Sequence, residues 1–162
     1  MKKLKILVLG GNSLIGNQLL QFLSKKNLIV YKTLKNIKKK EKNAFKYNPL
    51  LNFENIFKIL KNLKPNYIIN TIGITKHRNE INNFKISIFL NSIFPHKLAE
   101  ICKNNDIKLI HLSTDCVFSG KEGNYKENSI TDSDDLYGIS KSLGEIKNNK
   151  KCLTIRTSFI GY

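Results

Sequence analysis

Short, nearly continuous apolar runs alternate along this chain with stretches whose apolar residues recur every three or four positions. Leu4-Lys5-Ile6-Leu7-Val8-Leu9 reads as a strand buried on both faces, as in a parallel sheet. Gly10-Gly11-Asn12-Ser13 breaks it, and Leu14, Ile15, Leu19, Leu20, Phe22 and Leu23 then follow helical spacing up to Lys25-Lys26-Asn27. Leu28-Ile29-Val30-Tyr31 is a second strand, so the opening segment is a βαβ unit. Residues 34 to 43 are a solvated loop or frayed helix, and Ala44-Phe45-Lys46-Tyr47 is a short edge strand. Phe53, Ile56, Phe57, Leu60 and Leu63 line one face of a helix that Lys64-Pro65 ends. Tyr67 to Ile72 is the next strand, and a polar loop runs through Asn83. The pattern predicts a helix over 84–104, kinked or restarted at Pro95. Strand Ile107 to Leu112, a long polar loop, a helix from Leu136 to Asn148 and a strand from Cys152 to Arg156 complete the chain. This alternation predicts an α/β protein: a doubly wound parallel sheet with helices on both faces.

The length of 162 residues fits one domain, read as 1–162. No run approaches the ~20 apolar residues of a membrane span. Met1-Lys2-Lys3-Leu4-Lys5 has the charge of a signal-peptide start, but its apolar continuation is short and no small-residue cleavage site follows. Cys102, Cys116 and Cys152 are odd in number and lack C-x-x-C spacing, which fits a reducing cytoplasm rather than a disulfide framework. His96 and His111 carry no metal-ligand spacing, and no metal is expected.

The net charge of +16 raises nucleic-acid binding, yet it comes from 26 Lys and only 2 Arg. Asn (21) and Ile (22) are inflated alongside Lys, and all three have codons rich in A and T. The charge is therefore read as compositional bias, with neither a nucleic-acid nor a membrane partner expected.

Two features carry chemistry. The first is Gly10-x-x-Ser13-x-x-Gly16 between a strand and a helix, the place where a Rossmann-like fold turns its backbone N–H groups towards a pyrophosphate. Gly10 supplies the tight turn and Gly16 the close helix–sheet packing. Asn12, Ser13, Leu14 and Ile15 bring donors to the phosphates, although Ser13 stands where the pattern usually has its middle glycine. An acid after the second strand marks NAD preference. Here Tyr31-Lys32-Thr33-Leu34-Lys35 has none, and Thr33 and Lys35 suit a 2′-phosphate, so NADP(H) is favoured over NAD(H).

The second feature is Ser113-Thr114-Asp115 at a strand end, followed by Tyr137-Gly138-Ile139-Ser140-Lys141. Tyr and Lys at i and i+4 share a helix face. Hydride delivery to a ketone needs an acid at the carbonyl oxygen, and a phenol near pKa ~10 needs a cation to stabilise its phenolate. Tyr137 would be the acid, Lys141 the cation that also reaches the nicotinamide ribose, and Thr114 the group orienting the carbonyl. The plainer reading makes Tyr137 half-buried core and Lys141 a solvated helix charge.

In these blocks the chain resembles the extended short-chain dehydrogenase/reductases, nearest the dTDP-4-dehydrorhamnose reductase-like sugar-nucleotide reductases. The likeness rests on residues 7–16, on Ile69-Asn70-Thr71-Ile72-Gly73-Ile74, and on Asn91-Ser92-Ile93-Phe94-Pro95-His96-Lys97-Leu98-Ala99-Glu100. It is most specific in Leu112-Ser113-Thr114-Asp115-Cys116-Val117-Phe118-Ser119-Gly120 and in Asp135-x-Tyr137-Gly138-x-x-Lys141-x-x-Gly144-Glu145, with Arg156-Thr157-Ser158 matching the sixth strand. The resemblance implies reduction of the 4-keto group of a nucleotide-linked deoxysugar with NAD(P)H, in surface polysaccharide biosynthesis. It implies Thr114, Tyr137 and Lys141 as catalytic. Asn70, Thr71, Ile72 and Gly73 would pass over the cofactor, with Asn91 near it. It leaves room for a homodimer.

Cys116 replaces a common aromatic and is read as packing. His77 and Arg78 are read as solvated loop residues rather than phosphate ligands. Family members continue beyond Gly161-Tyr162 into a part that holds the nucleotide-sugar. The expectation is thus a C-terminally truncated reductase, its activity open, with an exposed apolar sheet edge. A nucleotide-sugar epimerase or dehydratase is the alternative enzyme. A non-catalytic dinucleotide-binding regulatory subunit, like that of methionine adenosyltransferase, is the alternative of another class.

Overall fold

The computed structural model describes residues 3–37, 41–76 and 78–158. Six strands form one sheet in the order β3-β2-β1-β4-β5-β6. They are β1 (Lys5–Leu9), β2 (Ile29–Leu34), β3 (Ala44–Lys46), β4 (Tyr67–Asn70), β5 (Lys108–Ser113) and β6 (Cys152–Arg156). Every pairing is parallel, as the apolar runs require. The strand order reverses between β1 and β4, which opens a crevice at their carboxyl ends.

Alternate residues of the central strands feed two cores. Leu7, Leu9, Ile68 and Leu109 face α2 (Asn55–Leu63) and α4 (Phe94–Asn104), where Ile56, Leu60, Phe94 and Leu98 are buried. Ile6, Val8 and Ile69 face α1 (Leu14–Ser24) through Leu19, Leu20 and Leu23. Burial of these side chains contributes about 1.5–3 kcal/mol each. Helix α1 packs mainly over β1 and β2. On its side of the sheet Leu153 and Ile155, in register with Ile110 and Leu112, are 57% and 37% exposed. An apolar edge at β6 is therefore present among the described residues. No helix among them is long and apolar enough to cross a membrane.

Four elements depart from the pattern, the first being β2, which runs on past Tyr31 to Leu34. The helix over 84–104 is α3 (Phe84–Ile88), a π-helical turn at Phe89–Ile93 and then α4, with Pro95 in the first turn of α4. Pro95 has no N–H to give the Asn91 carbonyl, so the wider turn falls where the regular ladder is already broken. Strand β4 stops at Asn70, whose side chain takes the Ile72 N–H at 3.1 Å and turns the chain. Helix α5 runs Leu136–Leu143 and stops short of Asn148. Gly144, its C-cap, lies against the Asn91 carbonyl. Gly161-Tyr162 and His77 lie outside the described residues.

Candidate active site

The glycine turn is built around close approaches. Gly10 has φ +81°, and a β-carbon there would stand 2.8 Å from the Thr71 hydroxyl; one at Gly16 would stand 2.3 Å from the Gly10 carbonyl. Ser13 is the N-cap of α1, its hydroxyl accepting from Gly16 N–H at 3.0 Å and lying 3.1 Å from Thr71 Oγ1. These two bonds hold the side chain that stands where the pattern usually has its middle glycine. The first-turn N–H groups of Leu14 and Ile15 have no partner among the described residues, and no acid sits in that turn.

A cleft of 420 Å³ opens over this turn. Gly10, Asn12, Ser13, Thr33 and Lys35 line one wall, and Thr71, Ile72 and Gly73 another. Thr33 is nearly fully buried and its hydroxyl accepts the Gly10 N–H at 3.1 Å, so it shapes the turn, while Lys35 on the same wall is exposed. Lys32 is paired with Glu41 at 2.5 Å. Asn70 and Asn91 are fully buried and stand beneath the loop rather than in the cleft. Asn91 accepts from Ile74 N at 2.9 Å and donates to Ile74 O at 3.1 Å and Ser140 Oγ at 3.0 Å. It thereby ties the loop after β4 to α5.

The cleft has walls that the sequence reading left out. Tyr47, Asn48, Pro49 and Leu50 follow β3, Ile74, Ile86 and Leu90 close the apolar end, and Arg78 with Glu80 borders the mouth. Arg78 was expected to be solvated away from any ligand, and its exposed side chain does edge the cleft. The rule that ligands lie at the carboxyl ends of parallel strands would have pointed to 47–50.

Beside Gly73 the second set comes together. Thr114 is buried just after β5, and Tyr137 and Lys141 lie on α5, whose N-cap Asp135 accepts from Gly138 N–H at 2.7 Å. Lys141 is only 6% exposed, which removes the reading of a solvated helix charge. Its ammonium donates to the Leu112 carbonyl at 2.6 Å, and burial brings its pKa down to about 8 against the pull of Glu145. Burial pushes the Tyr137 phenol above its ordinary value; the Thr114 hydroxyl counters this and Cys116, Asp115 and Asp135 add to it. Half-buried Cys116 thus borders the phenol. Asp115 also accepts a hydrogen bond from Ser158, just past β6.

Beneath lies an ion pair unnoticed in the sequence. Glu145, buried, takes Arg156 Nε and Nη2 at 2.7 Å each and Ser113 Oγ at 2.8 Å. The same guanidinium stands 4.9 Å from the Phe118 ring, which stacks on Tyr125 at 4.3 Å, and donates to Glu127 O at 3.1 Å. Arg156 thus helps to fasten the loop between Thr114 and Tyr137, together with the Ser119–Asp132 and Thr131–Ser142 bonds.

A parallel sheet with a glycine turn at β1, and a Thr–Tyr–Lys set gathered beside β5, defines a Rossmann-like domain of the short-chain dehydrogenase/reductase class. Residues 4–161 match the RmlD substrate binding domain family, and the chain belongs to that family. It is 32% identical over 114 residues to a dTDP-4-dehydrorhamnose reductase of Aggregatibacter actinomycetemcomitans, covering 68% of this chain and 39% of that one. Among solved structures it resembles the dTDP-4-dehydrorhamnose reductase of Bacillus anthracis in complex with NADP (TM-score 0.81, 23% identity), covering 96% of this chain and 54% of that one. The dTDP-4-dehydrorhamnose reductase of Yersinia enterocolitica is also similar, with TM-score 0.77, 27% identity and coverage of 95% and 52%. The chain spans about half or less of the length of these relatives.

Proposed function

We propose that this chain is the cofactor domain of a reductase that transfers hydride from NAD(P)H to the 4-keto group of a nucleotide-linked deoxysugar, in surface polysaccharide biosynthesis. The observation that carries the reading is Tyr137 beside Thr114, with buried Lys141 one turn along α5 next to Gly73, at the edge of a cleft floored by the glycine turn. The residues present fit a dinucleotide. Gly10 and Gly16 leave the space that side chains would fill, and Leu14 and Ile15 offer free N–H groups at a helix N-terminus. When bound, the reduced nicotinamide supplies the hydride.

The protein's own part is proton donation and orientation. With its pKa raised by burial, Tyr137 keeps its proton at neutral pH and is the acid for the forming alkoxide. Thr114 steadies the carbonyl oxygen. Lys141, with its pKa near 8, is mostly charged at pH 7 and favours the phenolate left behind. Lys35 at the cleft and the lack of an acid among residues 31–35 at the end of β2 support NADP(H) over NAD(H).

Titration with NADPH and NADH, followed by nicotinamide fluorescence, tests this. NADPH should bind the more tightly. Equal affinity removes the preference, and binding of neither overturns the reading.

A further inference from the structure

Among the described residues, the buried side-chain nitrogens and oxygens are closed by hydrogen bonds at every atom but one, His111 Nε2. His111 is fully buried on β5, directly across from Asn70 on β4. Their contact is Asn70 Nδ2 to His111 Nδ1 at 3.1 Å.

The roles of the atoms follow from the other end of the amide. Asn70 Oδ1 accepts from Ile72 N–H, so Nδ2 is the atom facing the ring. Nδ2 is a donor, Nδ1 therefore accepts, and Nε2 carries the ring proton. Burial holds this imidazole neutral, its pKa falling to about 3 with Lys141 and His96 adding to the shift. A primary amide has nearly the same shape with its oxygen and nitrogen exchanged. The Ile72 N–H, which donates and cannot accept, selects the orientation with Oδ1 towards it, and His111 Nδ1 holds the amide nitrogen on the other side. With the amide turned over, Ile72 N–H would face an NH₂ and lose its acceptor. Ile72 and Gly73 form a wall of the cleft.

We propose that His111 is a positioning residue for cofactor binding: through Asn70 it fixes the main chain at Ile72 that borders the dinucleotide. The unpaired Nε2–H sharpens the argument, because an apolar side chain would fill this buried place without that cost. The inference rests on the dinucleotide reading for its consequence, but its structural link is testable without any ligand.

Three variants separate the role from simple packing. Asn at 111 places an amide oxygen near the position of Nδ1, Gln places its polar atoms near Nε2, and Leu offers neither. His111→Leu and His111→Gln should weaken NADPH binding by about tenfold, and His111→Asn should restore it to within about threefold of wild type. In the ligand-free chain, the Ile72 amide should exchange with deuterium about tenfold faster in the Leu variant and near the wild-type rate in the Asn variant. Unchanged Ile72 exchange in the Leu variant overturns the proposal, as does equal impairment of the Asn and Leu variants. If wild type binds neither NADPH nor NADH, the cofactor reading falls, while Ile72 exchange still decides the role of His111.

Discussion

Gly144 lies against the main-chain carbonyl of Asn91, so close that a β-carbon at 144 would stand 1.8 Å from the oxygen. Two backbones, one from α5 and one from the π-helical turn, meet where Pro95 has left that carbonyl without its regular helical donor. The contact sets how near α5, with Tyr137 and Lys141, sits to the loop over the cleft. Gly144→Ala should therefore cost about 3 kcal/mol of unfolding free energy, since backbone must move on both sides. Gly123→Ala meets open space and only a φ of +69°, so it should cost about 1 kcal/mol. Urea unfolding of both variants checks the order; equal midpoints would refute it.

Arg156→Ala should cost about 3 kcal/mol at pH 7, because it strands Glu145 in a buried site and releases Phe118. In the intact protein burial pushes the Glu145 carboxyl up, but the Arg156 and Ser113 hydrogen bonds prevail and leave its pKa below the ordinary glutamate value. A depressed carboxyl stabilises the fold above its unfolded pKa and loses that contribution as pH falls through the folded value. The unpaired Glu145 of the variant instead takes up a proton early. The stability gap between the two should hence narrow steadily below pH ~5. Denaturation midpoints at pH 4 and pH 7 measure it, and a gap that widens in acid would contradict the account.

Much of this architecture was legible because both sheet faces are covered at the centre. Leu7, Val8 and Leu9 are all buried, so their unbroken apolar run could only be an inner strand. The glycine turn and the Tyr137–Lys141 spacing were legible for a related reason, since each is a local pattern with a fixed geometry. Long-range relations left no such mark. The pairing of Glu145 with Arg156 joins a residue just past α5 to the last residue of β6, and Asn91 ties the loop after β4 to α5 across the fold. The cleft wall at 47–50 was missed because its residues follow a three-residue strand and carry no motif of their own.

Asp135 has two duties that can be separated. It caps α5 through Gly138 N–H and pairs with Lys76 at 2.6 Å, joining the loop after β4 to α5. Asp135→Asn keeps an effective cap and should lie within about 0.5 kcal/mol of wild type, whereas Asp135→Ala should lose about 1 kcal/mol. Lys76→Gln should leave stability nearly unchanged, because the ion pair is open to solvent. Thermal unfolding ranks the three, and a Lys76→Gln loss matching that of Asp135→Ala would show that the pair, not the cap, matters.

Lys35 is the cation that the end of β2 offers to the cleft, Lys32 being engaged with Glu41. Lys35→Asp should weaken NADPH binding by about tenfold and leave NADH within about threefold, since only the former carries a 2′-phosphate. The ratio of the two dissociation constants is the measurement. An unchanged ratio would move the phosphate site elsewhere, with Arg78 the next cation at the same mouth.

Lys141 places function against stability. Burial lowers its pKa from 10.5 to about 8, so the folded state holds the charged ammonium at a cost that the unfolded chain does not bear. Below pH 8 both states are protonated and the full cost is present. Between pH 8 and 10.5 the unfolded chain binds more protons than the folded one, and stability rises with pH. Lys141→Met removes the charge and keeps the length, at the smaller loss of a donor to the Leu112 carbonyl. It should raise stability at pH 7 by about 1–2 kcal/mol, a gain that shrinks towards pH 10. It should also abolish any hydride transfer. Urea unfolding at pH 7 and pH 10 tests the first statement, and a Met variant less stable than wild type at both would mean that the Leu112 bond outweighs the buried charge.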